Sequence, residues 1–375
     1  MLLWVSLILL LNGIISFAYV AINSADPTTL WAMLAINFFF YVGISQAGII
    51  FSAYMKIAKS EWGVYFSRLG EILTLAFLPV AVIIFTIIYF GGSEHLFWWA
   101  AHNSSDEAAK GHLSPWLNKS FFLWRTIVTW GIFYALSYLY FRTGRLSEKG
   151  DATTFDLEKR LNVLASFVMV SFVIAESNLA WDFGMMIIPH WESTIFPAYV
   201  WVGNIFAGAA FLFLLSRLFI DSKRLDREHL DSKGKLLLGF TILWIYMFWS
   251  QHIVTWYGDL PNIIDPLNKQ MGGNYTSVFL VMLVMLFIMP FFALIQKVIK
   301  FSAAGLSIVA AIICAGMWLN RYLLIMPVFS DGSEWIVVSW AGISLILAGL
   351  AATVLSVLLF FKLFPQVTTI QKMSK

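Results

Sequence analysis

Ten apolar stretches, each long enough to cross a bilayer, limit what this chain can fold into more than any other feature. They lie near residues 2–22, 29–55, 69–90, 120–141, 161–180, 193–217, 236–256, 275–296, 301–321 and 336–361. At a helical rise of 1.5 Å per residue, about 20 residues cover a hydrocarbon core of about 30 Å. In lipid every backbone N–H and C=O must be satisfied within the protein, which leaves helices or a closed barrel. A barrel would show segments of about ten residues with alternating polarity. None is present, so an all-α integral membrane bundle follows. Composition agrees: 60% of residues are hydrophobic and 12% charged, against roughly 45–50% and about 25% in soluble domains. Residues 1–375 read as a single polytopic membrane domain with one long outer loop at 91–119. The first stretch lacks a basic leader and a small-residue cleavage site, as expected of a retained helix rather than a signal peptide.

Lysine and arginine set the orientation, because short basic loops stay in the cytoplasm. The connections after the second, fourth, sixth and eighth stretches hold 3, 5, 6 and 2 of them and the C-terminal tail 3, which is 19 of 24. The other side holds only Lys110, Lys119, Lys269 and Arg321, with Arg125 inside the fourth stretch. Both termini are therefore expected in the cytoplasm, and Asp182 to Glu192 outside. The net charge of +3 is a topology signal and argues for no nucleic acid.

A single cysteine, Cys314, gives no disulfide, no haem attachment motif and no ligand set for an iron–sulfur cluster. Of six histidines only His252 is expected near membrane depth, so a diheme cytochrome b is excluded. His95, His102 and His112 share the outer loop without a compact zinc spacing and read better as a solvated docking surface. The absence of a Gly-rich phosphate loop argues against ATP-driven transport.

Four groups of polar residues at membrane depth remain, and ionisable groups there are functional candidates by default. Lys119 and Arg125 stand on the fourth helix, with Glu176 and Asp182 as natural partners. A structural ion pair and a ligand or proton site explain them equally well. The run Trp181 to Phe196 brings Asp182, His190 and Glu192 together with interfacial aromatics. The segment from Trp249 to Asn262 returns to the same outer surface and contains His252. On the second helix Asn37, Tyr41, Ser45 and Ser52 recur at steps of four, four and seven, which puts them on one face. Helix packing explains that stripe, and so does an inner proton path reaching Glu71.

At these residues the chain resembles the ActF-type membrane subunit of bacterial alternative complex III, within the NrfD and polysulfide reductase membrane-subunit family. The family pattern Asp-Trp-x-Met-Ser-Leu-x-Pro-His-Trp-x-Ser-Thr-Ile-Phe is similar to the run from Asp182 through Met185, Ile187, Pro189, His190, Trp191 and Ser193 to Phe196, with Phe183 and Met186 departing. A second pattern, Ser-Gln-x-x-x-x-Trp-x-Gly-Asn-Leu-Pro, resembles Ser250 to Pro261, with Asp259 in place of Asn. Leu117 to Arg125 looks like a third, at the start of the fourth helix.

The resemblance covers most of the chain. It implies two four-helix bundles plus a peripheral helix pair, in the cytoplasmic membrane of a bacterium. It also implies partners: a related NrfD-like membrane subunit, an outer iron–sulfur subunit, c-type cytochromes and in some complexes a terminal oxidase. Iron–sulfur clusters and haems would sit on those partners. Menaquinol or ubiquinol would be oxidised by the whole complex, and this chain would carry no covalently bound cofactor. On this reading Arg125, Glu176, Asp182, His190 and His252, with Asp259 nearby, form one outer polar site for quinol or protons. Glu71, Asn37, Tyr41, Ser45 and Ser52 form the inner proton path. Two other classes stay open: a structural anchor for outer electron-transfer subunits, and a secondary transporter. A transporter should show matched broken helices in its two halves, and Pro79, Pro197, Pro290 and Pro327 form no such pair.

Overall fold

The structure, a computed structural model, describes residues 2–60, 62–101, 114–149, 154–188, 191–220, 227–333 and 336–364. Ten long helices account for most of them: α1 (Leu2–Asn23), α2 (Thr28–Ile57), α3 (Val64–Ile87), α4 (Lys119–Lys149), α5 (Thr154–Ala180), α6 (Phe196–Phe219), α7 (Arg227–Gly258), α8 (Thr276–Leu283, resuming as Met289–Ile295), α9 (Ala303–Phe329) and α10 (Trp340–Leu363). Among the described residues nine are long and apolar enough to cross a membrane. The exception is α4, whose Trp, Tyr and Arg125 dilute its apolar character, yet it packs along α5 as the others pack on their neighbours. The protein is an all-α, multi-pass membrane protein.

Helices α2–α5 form one four-helix bundle and α6–α9 a second. The bundles meet where α2 packs on α6 and α9, and α5 on α6. Helices α1 and α10 pair beside the first bundle, with Asn12 donating to Ser344 Oγ at 3.0 Å. Apolar side chains cover the outside as well as the core, as lipid requires: Trp4, Ile22, Phe90 and Val254 are all exposed. The Thr28 hydroxyl and N–H hold the Asp26 carboxyl below its ordinary range at the start of α2.

Helix α2 is the centre of the molecule, and its membrane-length window is 100% buried. It lies so close to α3 that a Cβ on Gly48 would come within 2.6 Å of the Gly70 carbonyl oxygen. Thr74 uses that proximity. Its hydroxyl donates to the Ser45 carbonyl and accepts from Ile49 N–H at 2.9 Å, tying the two helices together in mid-membrane.

Among the described residues three short π-helical turns interrupt the helices, at Ile88–Gly92, Trp181–Met185 and Val284–Ile288. The last precedes Pro290, which has no N–H and whose ring crowds the carbonyl one turn back, so a widened turn accommodates it. The first changes the reading of 91–119. Instead of becoming loop at 91, the chain stays helical to Leu96 and adds a short helix at Trp98–Ala101. Phe97 and Trp99 are buried against Phe122, and Phe97 also meets Phe183, so apolar burial draws this stretch into the bundle. His102 and His112 lie outside the described residues, and the His95 ring stacks on Trp31.

Two cations also sit elsewhere than expected. Helix α9 continues through Tyr322 to Phe329, so Arg321 is a fully buried membrane residue and not a member of an outer loop. Lys233 is buried inside α7, where the sequence suggests a cytoplasmic connection. Its Nζ lies 4.1 Å and 4.7 Å from the ring centroids of Phe51 and Phe66.

Replacing Gly70 by valine is expected to cost about 1–3 kcal/mol or more, because the added atoms meet backbone, which cannot swing away. A large drop in the detergent-solubilised melting temperature checks this. An unchanged Tm would show that α2 and α3 are not held at this separation.

Candidate functional site

The outer end of the first bundle holds Asp182 in the π turn that prolongs α5, facing Arg125, six residues into α4. Arg125 Nε donates to Asp182 Oδ1 at 3.0 Å and to Oδ2 at 3.3 Å, and Nη2 donates to Oδ1 as well. Nη1 donates to the Trp116 carbonyl at 2.6 Å. The guanidinium also lies over the rings of Trp116, Phe121 and Phe122 at 4.6–5.3 Å. Both residues are buried. Charge, hydrogen bonds and ring faces are thus matched within one closed box, which is what keeps a desolvated ion pair stable.

Glu176 lies six residues earlier on α5 and belongs to a different environment. It is fully buried at the junction of the bundles, and Oε2 accepts from Asn204 Nδ2 at 2.6 Å. The Asn204 carbonyl oxygen accepts in turn from Arg321 Nη2 at 2.9 Å. Arg321 also donates to the Val200 carbonyl at 3.0 Å and to Asn320 Oδ1 at 2.9 Å, while Asn320 Nδ2 donates to the Tyr199 hydroxyl. Glycine at 43 leaves the space that Asn204 occupies, since a Cβ there would overlap its amide. Carboxylate and guanidinium therefore face each other across an asparagine without forming a direct ion pair. Glu176 Oε1 has no hydrogen-bond partner among the described residues.

At the basic end Glu71 accepts from Ser52 Oγ at 2.5 Å and from Arg68 Nη1 at 2.7 Å. The Ser52 hydroxyl is 3.2 Å from that of Tyr140. These groups line a cavity of ≈ 550 Å³, whose rim includes Lys56 and Glu158, paired at 2.9 Å. From there α4 presents Tyr140, Ser137 and Tyr134 at steps of three along one side, all buried. Gln46 Nε2 donates to the Tyr134 hydroxyl at 3.5 Å, and the Ser45 side chain also lies beside that hydroxyl. Buried polar groups thus lie between the Glu71 cavity and Tyr134, although among the described residues no hydrogen bond joins Ser137 Oγ to its neighbours.

The helix-two stripe divides among neighbours. Ser52 joins Glu71, and Ser45 lies beside Tyr134 with its hydroxyl donating to the Val42 carbonyl. Tyr41 donates to the Ile346 carbonyl at 2.9 Å and Asn37 Oδ1 accepts from Trp318 Nε1 at 3.1 Å, so these two fasten α10 and α9. A helix covered on every side has no single inward face, so regular spacing does not bring its residues to one partner.

His252 stacks on Phe248 with ring centroids 3.8 Å apart, and its Nδ1 is 2.8 Å from the Phe248 carbonyl oxygen. The Tyr199 ring stands 6.5 Å away, so His252 borders the Arg321 network and not the Arg125–Asp182 box. His190 lies outside the described residues, and Glu192 is exposed. Asp259 is exposed with φ of 44°, and its N–H reaches the Thr255 carbonyl at 3.3 Å. It terminates α7 in the left-handed region that Asn and Asp tolerate, which accounts for either residue at that position. The two outer motifs do meet: Ser193 Oγ donates to Gln251 Oε1 at 2.7 Å. The expected single outer site is therefore three environments, the Arg125–Asp182 box, the Glu176–Asn204–Arg321 bridge and the His252 stack. Arg321, Asn204 and Tyr134 are the members that sequence reasoning passed over.

An outer cavity of ≈ 590 Å³ opens beside the box, lined by Trp98, Trp116, Trp181, Trp191, Met185 and Met186 among others. Among the described residues no group of three or more His, Cys, Asp or Glu is arranged to hold a metal ion. No protein-family model and no curated protein matches the chain.

Changing Asp182 to alanine should leave the Arg125 charge buried and cost about 3–5 kcal/mol. The double change Arg125→Met with Asp182→Leu should cost much less. Thermal unfolding of the purified protein compares them, and equal losses would show that the two residues are not coupled.

Proposed function

We propose that this chain is the membrane subunit of a quinol-oxidising respiratory complex of the alternative complex III type, and that its own contribution is a transmembrane proton path. The observation that carries this reading is the set of buried polar groups on α2–α5, with Glu71, Ser52 and Tyr140 at the cavity, Ser137, Tyr134 and Gln46 further along, and Glu176 at the junction of the bundles. Polar groups at membrane depth are costly to maintain, and in membrane proteins such chains serve as proton relays. Glu176 suits a relay because it is a fully buried carboxyl at the junction of the two bundles, held by a hydrogen bond from Asn204 at one oxygen. On this reading the iron–sulfur, cytochrome and NrfD-like partners carry the electrons, and quinol, menaquinol or ubiquinol, is oxidised by the complex.

A second reading, a structural anchor, draws support from the outer end. The Arg125–Asp182 box has its hydrogen bonds directed at itself and at the Trp116 carbonyl, which suits fastening α4 to α5 better than contacting a quinol hydroxyl.

In sealed vesicles, Glu176→Gln and Glu71→Gln complexes should lower quinol-driven proton translocation by on the order of 10²-fold, the scale of a lost proton-transfer group. Electron transfer measured under uncoupled conditions should remain. Unchanged translocation in both variants would leave the anchor as the better reading.

A further inference from the structure

Arg321 has no place in a proton relay as such, yet it is fully buried and held by Val200, Asn204 and Asn320, with its guanidinium carbon 4.9 Å from the Phe39 ring centroid. Arginine stays charged in proteins, so this is a permanent positive charge within the membrane-spanning part of the molecule. Its position is specific. On one side lie the buried polar groups from the Glu71 cavity to Glu176. On the other, Asn320 leads to Tyr199, whose ring neighbours His252, and a small pocket there also includes Gln251, which is bonded to Ser193 at the opposite end. Among the described residues the two sides are joined by the Asn204 amide, which donates to Glu176 and accepts from Arg321.

We propose that Arg321 is a fixed electrostatic barrier that prevents passive proton flow between these two polar runs, with Glu176 as the last proton-carrying group before it. The inference rests on the proton-path reading and adds what keeps that path from short-circuiting the membrane. An excess proton moving beyond Glu176 would have to approach a like charge in a medium of low dielectric constant. A single arginine in a narrow pore excludes cations in this way. Asn204 completes the arrangement, because it keeps carboxylate and guanidinium from collapsing into a closed pair like that of Arg125 and Asp182.

The complex containing the full chain is reconstituted into liposomes, a potassium diffusion potential is imposed with valinomycin, and an internal dye reports proton entry. Wild type is expected to be tight. Arg321→Gln should raise the leak on the order of tenfold or more, the change a modest lowering of the barrier produces. Arg321→Lys, which keeps the charge, should stay tight, and Arg321→Gln with Glu176→Gln should return towards wild type. A folded Arg321→Gln protein that stays tight overturns the barrier. So does a leak that appears equally in Arg321→Lys or survives the loss of Glu176, since either marks general disruption.

If the glutamine variant does not fold, Arg321→His is read across pH. It should be tight while the imidazolium is charged and leak as that charge is lost, and a pH-independent leak or none at any pH overturns the proposal. A tight Arg321→Gln beside a Glu176→Gln complex that has lost translocation removes only the barrier. Loss of neither function removes the proton path as well.

Discussion

A polar group inside this bundle has no water to fall back on, and each of the buried charges meets that constraint differently. Arg125 and Asp182 neutralise each other directly within an aromatic box. Arg68 and Glu71 pair at 2.7 Å beside a cavity that admits solvent-sized groups. Glu176 and Arg321 balance each other through an intervening amide. Lys233 has two phenylalanine faces and, among the described residues, no hydrogen-bond acceptor for its Nζ. Helix α2 contacts both bundles and the peripheral pair, and its polar residues are shared out, with Asn37 serving α9, Tyr41 α10, Gln46 α4 and Ser52 α3.

The difference between a closed pair and an open one separates structure from function. In the Arg125–Asp182 box the bonds converge on one another, so the pair holds α4 against α5 and has little capacity for anything else. Glu176 sits at the meeting point of the two bundles beside Asn204, and among the described residues one of its oxygens has no donor. A buried carboxylate is costly unless its oxygens are hydrogen-bonded. Proton transfer is the work that its neighbours, hydroxyls and amides, are suited to support.

Much of this was legible in the sequence. Apolar stretches separated by short polar loops dictate a helical membrane bundle, and an isolated arginine in such a stretch calls for a carboxylate nearby, which Asp182 supplies. The division of the expected outer site into three environments was not legible. Asp182 and Glu176 are close in sequence, but six residues on a helix carry them to different neighbours, and His252 turns to Phe248 instead. Arg321 was hidden because a charge followed by only a short apolar run before Pro327 looks like the edge of a helix, although Tyr322 to Met326 are buried and carry α9 onward. Asn204 and Gln46 carry no charge and stand in strongly apolar helices, so only their contacts reveal them. Spacing on α2 misled for a physical reason as well, since periodicity identifies a face only where the opposite face differs in environment.

The most direct measurement of the role assigned to Glu176 is infrared difference spectroscopy on the membrane-embedded protein as quinol is oxidised. A carboxyl band that appears or disappears with turnover, shifts in deuterium oxide and is absent from the Glu176→Gln variant would show that this buried group changes its protonation state during the reaction. A difference spectrum identical in wild type and variant would contradict the proton-path assignment and leave Glu176 as a packing group between two bundles.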